Sequence, residues 1–123
     1  MKIPAGHHTV MPYLMLDNAA GFLTFAQQVF QAKLSHHSLH DDGMVRHAEL
    51  QIGDSTLMIS SGRDPWKPQP GQLFIYVEDA DASYQAALDH GATVVMEVAD
   101  QSYGRSGGVK DPCGNTWWIT SVK

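Results

Sequence analysis

The sequence predicts an α+β fold built from two βαβββ modules, and an internal repeat is the main observation behind this prediction. The apolar run at residues 11–16 (MPYLML) matches the run at residues 72–77 (QLFIYV), which lies 61 positions later. Gly53 and Gly114 keep the same spacing, and each lies in a turn-like segment before an apolar strand. Acidic and alanine residues follow each run and lead into a segment with helical periodicity. The same order of elements therefore occurs twice.

The two predicted helices span about residues 18–30 and 80–90. Asp17 precedes the first helix as its expected N-cap, because its carboxylate can accept from free backbone N–H groups. Gly91 can take the left-handed conformation that ends the second helix. Apolar residues at helical spacing form the predicted buried stripes, which are Phe22, Phe25, Val29 and Phe30 in the first helix and Tyr84, Ala87 and Leu88 in the second.

Eight short segments rich in β-forming residues are predicted strands. They cover residues 8–16, 33–40, 45–52 and 56–61 in the first half, and 72–77, 93–98, 108–111 and 116–122 in the second. We expect the modules, about residues 8–62 and 72–122, to curl the strands into a half-open eight-stranded sheet. The helices would cover its outer face, and its inner face would form a cleft. Residues 63–71 contain three prolines and form the predicted linker.

Composition and charge restrict the class of protein. The 123 residues suit one domain, and 43% hydrophobic residues can form a core. Thirteen acidic against eight basic residues give a net charge of -5, which opposes binding to nucleic acid or to anionic membranes. No apolar run approaches the roughly 18 residues of a membrane span, and no signal peptide is recognisable, so we expect a cytoplasmic protein. Cys113 is the only cysteine, which excludes an internal disulfide.

Short motifs follow one another in order from about Thr9 to Ser121. They are PYL at 12–14, Phe25, HAEL at 47–50 and GDSTLM at 53–58, then YVED at 76–79, GAT at 91–93, YGRSGG at 103–108 and DPCGNTWW at 111–118. Together they resemble the vicinal oxygen chelate superfamily, which includes glyoxalase I, extradiol dioxygenases and bleomycin-resistance proteins. The PhnB-like, or glyoxalase-like, branch is the most similar. The resemblance implies the fold but no single reaction, because this fold hosts many chemistries.

Metal-dependent members of that superfamily place His or Glu at four cleft positions. The resemblance assigns these positions here to Met11, Leu57, Gln72 and Trp118, and none of the four carries an imidazole or a carboxylate. A divalent metal needs about three such ligands. We therefore predict no metal at the family's position, no cofactor and no catalytic residue.

His47 and Glu49 leave an alternative open, because strand alternation places both on the cleft face. A metal relocated to this pair would make the protein a lyase or dioxygenase of the same superfamily. The other interpretation is that the pair is ordinary polar lining of the cleft. His7 and His8 are expected to lie in a solvated N-terminal end.

The predicted cleft is aromatic and apolar. Strand alternation assigns to it Met11, Tyr13, Gln72, Phe74, Tyr76 and Trp118. Alignment of the two halves by the repeat, in which Gly53 matches Gly114, adds Leu57 and Ile59. A slip of one residue in the fourth strand would present Met58 instead. Trp66 and Tyr103 lie in loops that could fold over the mouth, and the polar residues available to orient a ligand are His47, Glu49, Gln72 and Arg105. Flat aromatic faces favour planar ligands.

These observations predict a metal-free protein that sequesters an apolar or aromatic small molecule, such as an antibiotic or other natural product. The resemblance implies a homodimer whose ligand clefts lie at the subunit interface. Two alternatives stay open: an enzyme with the relocated metal, and a dimeric scaffold whose cleft is filled by its own aromatic side chains.

Overall fold

Each half of the chain forms one four-stranded sheet with one helix, in a computed structural model that describes residues 1–122. The first unit, Met1–Gln69, contains β1 (Tyr13–Leu16), α1 (Ala19–Phe30), β2 (Lys33–Leu39), β3 (Val45–Ile52) and β4 (Ser55–Ser61). The second unit begins at Pro70 and contains β5 (Gln72–Tyr76), α2 (Ala80–Asp89), β6 (Thr93–Gln101), β7 (Gly104–Lys110) and β8 (Thr116–Ser121). The predicted α+β class and the repeated βαβββ order are confirmed.

The two sheets have the same topology. Their strand orders are β1-β4-β3-β2 and β5-β8-β7-β6. In each sheet the first strand pairs in parallel with the last, and all other neighbours are antiparallel. The eight predicted strands are thus divided equally between two sheets.

The core of the first unit lies between α1 and one face of its sheet. Asn18, and not the predicted Asp17, caps the helix, because its side chain directly precedes the first turn and accepts from the Gly21 N–H at 3.0 Å. Phe22, Phe25 and Val29 are buried as predicted. The sheet contributes an apolar face to the same core, made of Leu14, Leu16, Ala48, Leu50, Leu57 and Ile59.

Helix α2 covers one face of the second sheet, and two glycines shape the strand beneath it. Asp79 caps the helix by accepting from the Ala82 N–H at 3.1 Å. Strand β7 starts at Gly104, four residues before the predicted start. The prediction missed this part because glycine has a low β-propensity. A Cβ on Gly107 would lie 2.9 Å from the Tyr84 ring, and one on Gly108 would lie 2.7 Å from the Trp118 ring. Close packing therefore selects glycine at both positions.

A buried aspartate organises the turn between β7 and β8. The Asp111 carboxylate accepts from the backbone N–H groups of Cys113 and Asn115 at 2.9 and 3.0 Å. It also accepts from the Trp117 indole at 2.8 Å and from the Asn115 side chain at 3.1 Å. Asn115 in turn accepts from the Gly71 N–H at 2.8 Å. One carboxylate thus fixes both the turn and a core tryptophan.

Neither α1 nor α2, the two helices of the described residues, is long and apolar enough to cross a membrane.

Replacing Asp111 by Ala should strongly destabilise the fold. The change leaves several buried donors without an acceptor, and we expect the free energy of unfolding to fall by about 3 kcal/mol. Urea unfolding followed by circular dichroism measures the loss. Asp54→Ala, in the exposed turn between β3 and β4, is the matched control and should change stability by less than about 0.5 kcal/mol. Equal losses in the two variants would contradict this role of Asp111.

Candidate functional site

The uncovered face of the first sheet carries polar and aromatic side chains. The register pairs Tyr13 of β1 with Met58 of β4, and Met58 with Glu49 of β3. Since paired residues point to the same side of a sheet, these three side chains share one face. Tyr13 is 48% exposed. This face, and not the one under α1, is available to a ligand.

Leu57 and Ile59 do not belong to this face, so the prediction for them is wrong. Ile59 pairs with Leu14 and Leu57 pairs with Leu50, and all four side chains are buried on the side of α1. Met58 takes the exposed position, as the alternative register predicted. The physical reason is a difference in turn length between the two units. The turn between β3 and β4 has two residues, between the paired Ile52 and Ser55. The turn between β7 and β8 has five residues, between the paired Lys110 and Thr116.

Glu49 forms the centre of a polar cluster on the same face. Its two carboxylate oxygens accept from Nε2 of His7 at 2.7 Å and from Nε2 of His47 at 3.2 Å. The hydrogen bond from His7 is the largest cause that lowers the pKa of Glu49, and burial opposes it. The Tyr13 ring meets the His47 ring edge-on at 5.7 Å. The structure thus brings Tyr13, His47 and Glu49 together and adds His7, which was expected in a solvated end.

The residues at the family's metal positions do not fit a metal. In the first unit these are Met11, which precedes β1 and is half-buried, and Met58 in place of Leu57. In the second unit they are Gln72 and Trp118. Thioether, amide and indole groups are poor ligands for the hard or borderline cations that carboxylates and imidazoles bind. Within residues 1–122, no three His, Cys, Asp or Glu side chains are arranged to hold a metal.

A cavity of about 410 Å³ opens at one end of the first sheet. Its aromatic and apolar lining residues are Tyr13, Met15 and Trp66. Trp66 is 64% exposed, so much of this residue is accessible to a ligand. Of these three residues, Tyr13 and Trp66 were predicted to contact the ligand.

The polar wall of this cavity was not predicted. It consists of His40, Arg46, Ser60, Ser61, Arg63 and Asp64. These residues come from the ends of β2 and β4, the start of β3 and the loop that follows β4. They lie far apart in sequence and show no common motif. Only the strand order, which brings β4 between β1 and β3, places them together.

The loop after β4 is attached to β1. Arg63 N–H donates to the Trp66 carbonyl at 2.8 Å, which closes the loop around Trp66. Gln69 N–H donates to the Met15 carbonyl at 2.8 Å, and Gly62 N–H donates to the Leu16 carbonyl at the same distance. These bonds hold Trp66 at the cavity instead of leaving it in a free linker.

The uncovered face of the second sheet is aromatic. Trp118 pairs with Phe74 in register, and its indole N–H donates to the Gln72 side-chain oxygen at 3.1 Å. Phe74 contacts Tyr76 with ring centroids 5.1 Å apart and Tyr103 at 6.4 Å. Phe74, Tyr76 and Tyr103 are 51%, 69% and 53% exposed. The structure therefore brings five predicted residues of the second unit into one patch, which we call the β5 aromatic patch.

Arg105 does not join this patch, which corrects its predicted role in orienting a ligand. Its Nε and a terminal nitrogen donate to the two Asp81 carboxylate oxygens at 2.6 and 3.0 Å, and Asp100 accepts at 3.3 Å. These bonds raise the pKa of Arg105 and lower the pKa of Asp81. The Arg105 guanidinium thus links β7 to the first turn of α2. It points towards the helix because side chains alternate along the strand.

The family of the chain follows from comparison with known proteins. The model of the Glyoxalase/Bleomycin resistance protein/Dioxygenase superfamily matches residues 6–119. The chain belongs to this superfamily. An uncharacterised protein of Mycobacterium bovis is 35% identical over an alignment of 118 positions, and the alignment covers 86% of this chain and 78% of that protein.

Two solved structures show the same fold. The PhnB protein from Bacillus cereus has a TM-score of 0.73 at 16% identity, with 94% of this chain and 100% of that chain covered. TnmS3, an antibiotic binding protein from Streptomyces sp. CB03234, has a TM-score of 0.74 at 17% identity, with 98% and 100% covered. At these identities the likeness concerns the fold alone, and it agrees with the PhnB-like resemblance of the sequence.

Glu49→Gln should make the chain less stable in a way that depends on pH. Because the pKa of Glu49 is lowered in the folded state, its ionised form stabilises the fold above the ordinary glutamate pKa of 4.5, and this contribution is lost as the pH falls through the folded pKa. We expect a stability difference of about 1 kcal/mol between wild type and variant at neutral pH. The difference should shrink in acid.

Urea unfolding at several pH values measures this difference. Glu78→Gln is the matched control, because Glu78 is exposed. That variant should follow the wild type at every pH. A difference for Glu49→Gln that stays constant from neutral pH into acid would show that the carboxylate charge is not its source.

Proposed function

We propose that this chain is a metal-free small-molecule-binding protein that sequesters an apolar or aromatic ligand, such as an antibiotic or other natural product. The observation that carries the proposal is the cavity of the first unit, whose lining includes the aromatic residues Trp66 and Tyr13 and the apolar Met15. Its volume of about 410 Å³ falls within the usual range for ligand pockets, roughly 300–1,000 Å³.

The wall chemistry favours a planar ligand. Aromatic rings stack on flat faces with about 0.5–1.5 kcal/mol beyond the burial of area. The flexible, polarisable side chain of Met15 can adapt to the outline of a ring. The loop bonds around Trp66 hold its backbone in place before a ligand arrives, which reduces the entropy lost on binding.

Two further observations support binding over metal chemistry. The family's ligand positions carry thioether, amide and indole groups, which suit contact with an organic molecule better than coordination of a cation. TnmS3, which shares the fold, is itself an antibiotic binding protein. Carrying that property over to this chain is part of our proposal.

The proposal assigns the β5 aromatic patch to contacts with the ligand or with a second subunit. Phe74 and Tyr76 are large, apolar and more than half exposed, and an exposed aromatic cluster commonly marks an interaction surface. We propose that the protein is cytoplasmic. We also propose that it forms a homodimer with its clefts at the subunit interface, as the resemblance implies.

Calorimetric titration with naphthamide, a neutral planar compound, tests the binding function. We expect saturable binding, recovery of the intact compound by mass spectrometry, and an affinity about tenfold lower in Trp66→Ala, because the exposed indole face is lost. Val95→Ala removes an exposed apolar side chain of β6 and is the matched control. Conversion of the compound by the protein, or absence of saturable binding both of naphthamide and of naphthoate, the carboxylate with the same ring, would contradict the proposal.

Sedimentation equilibrium tests the dimer. We expect a mass of two chains for the wild type and a shift towards one chain in Tyr76→Glu, because a carboxylate in the patch would lose solvation on association. Glu78→Gln, beside the patch in sequence and exposed, should leave the mass unchanged. A wild-type mass of one chain at micromolar concentration would contradict the dimer.

A further inference from the structure

The cavity of the first unit is basic although the chain as a whole is acidic. The net charge of the sequence is -5. Four side chains of the cavity wall can carry a full charge, and three of them, His40, Arg46 and Arg63, are basic. Asp64 is the only acidic one. With histidine counted as neutral, as in the net charge, the two arginines still exceed the one carboxylate of the wall, and this excess favours an anionic group on the ligand.

The two arginines of this wall differ in what they contact. The Arg63 guanidinium donates to the Asp42 carboxylate at 2.6 Å and to the Met44 sulfur at 3.3 Å, so its charge is compensated. Arg46 forms no hydrogen bond or ion pair through its side chain with any other residue from 1 to 122. The chain therefore leaves one guanidinium at the cavity free to bind a partner.

The one carboxylate of the wall does not neutralise this cation. Asp64 forms no ion pair with Arg46 or Arg63, although all three border the same cavity. A ligand anion at Arg46 would gain the attraction of the guanidinium and lose part of it to repulsion by Asp64. Removing the Asp64 charge should therefore strengthen the binding of an anion.

We infer that the ligand is a planar aromatic carboxylate, with its ring against Trp66 and Tyr13 and its carboxylate on Arg46. The inference rests on the proposed binding function and names the class of ligand for the same cavity. A guanidinium presents a planar fork of N–H donors that matches the two oxygens of a carboxylate. Arg46 would bind the carboxylate of such a molecule, and Trp66 would contact its ring.

Calorimetric titration with naphthoate and with its neutral analogue naphthamide tests this assignment, because the two differ in charge but share the ring. We expect naphthoate to bind the wild type about tenfold more tightly, given the strength of a charge-assisted pair. Arg46→Gln should remove this preference, because it should weaken naphthoate binding much more than naphthamide binding. Asp64→Asn should raise the naphthoate affinity about twofold to threefold.

Two further variants complete the design. Arg46→Lys keeps the charge but loses the planar fork, so its naphthoate affinity should fall between those of the wild type and Arg46→Gln. Lys33→Gln removes an exposed charge at the start of β2, away from the cavity wall, and should change neither affinity. Added salt should weaken naphthoate binding more than naphthamide binding.

The outcomes separate this inference from the proposed function. Equal binding of the two compounds, with no effect of Arg46→Gln, would overturn the aromatic carboxylate and leave the proposed function standing. Tighter binding of naphthamide would do the same. If neither compound binds the wild type, the proposed function fails and the inference fails with it.

Discussion

The register between β1 and β4 is the constraint on which the first unit depends. Because side chains alternate along a strand, the parallel pairing of Tyr13 with Met58 also pairs Leu14 with Ile59. The second pair is buried under α1, and the first faces outward. A register shifted by one residue would bury Tyr13 and expose the core, so the packing of the helix and the position of the cavity are consequences of the same pairing.

Much of the fold could be predicted from the repeat, but its exact spacing could not. Residues 13 and 74 are equivalent and differ by 61, whereas residues 58 and 118 are equivalent and differ by 60. Gly53 and Gly114 keep the spacing of 61 because each takes a positive φ in its own turn, yet the turns differ in length. Aligning the halves on these glycines therefore placed Leu57 on the wrong face.

The parts of the site that follow strand alternation were predictable, and the parts that depend on distant residues were not. Phe74, Tyr76 and Trp118 share a face because of alternation alone. Arg105 was misjudged because its carboxylate partner lies on α2, 24 positions earlier in the chain. His7 bonds to Glu49 across 42 positions. A local sequence pattern cannot predict a hydrogen-bond partner so far away in the chain. That Arg46 forms no ion pair can likewise be recognised only from the three-dimensional positions of its neighbours.

The adjacent Gly107 and Gly108 let two aromatic rings approach the backbone of β7 closely, one on each face of the sheet. One glycine admits the Tyr84 ring from the side of α2, and the next admits the Trp118 ring from the opposite side. At these two residues only the backbone of β7 separates the packed face under α2 from the opposite face of the sheet. The Tyr84 and Trp118 rings therefore pack against the backbone of adjacent residues from opposite sides, and a side chain at either position would displace one of them.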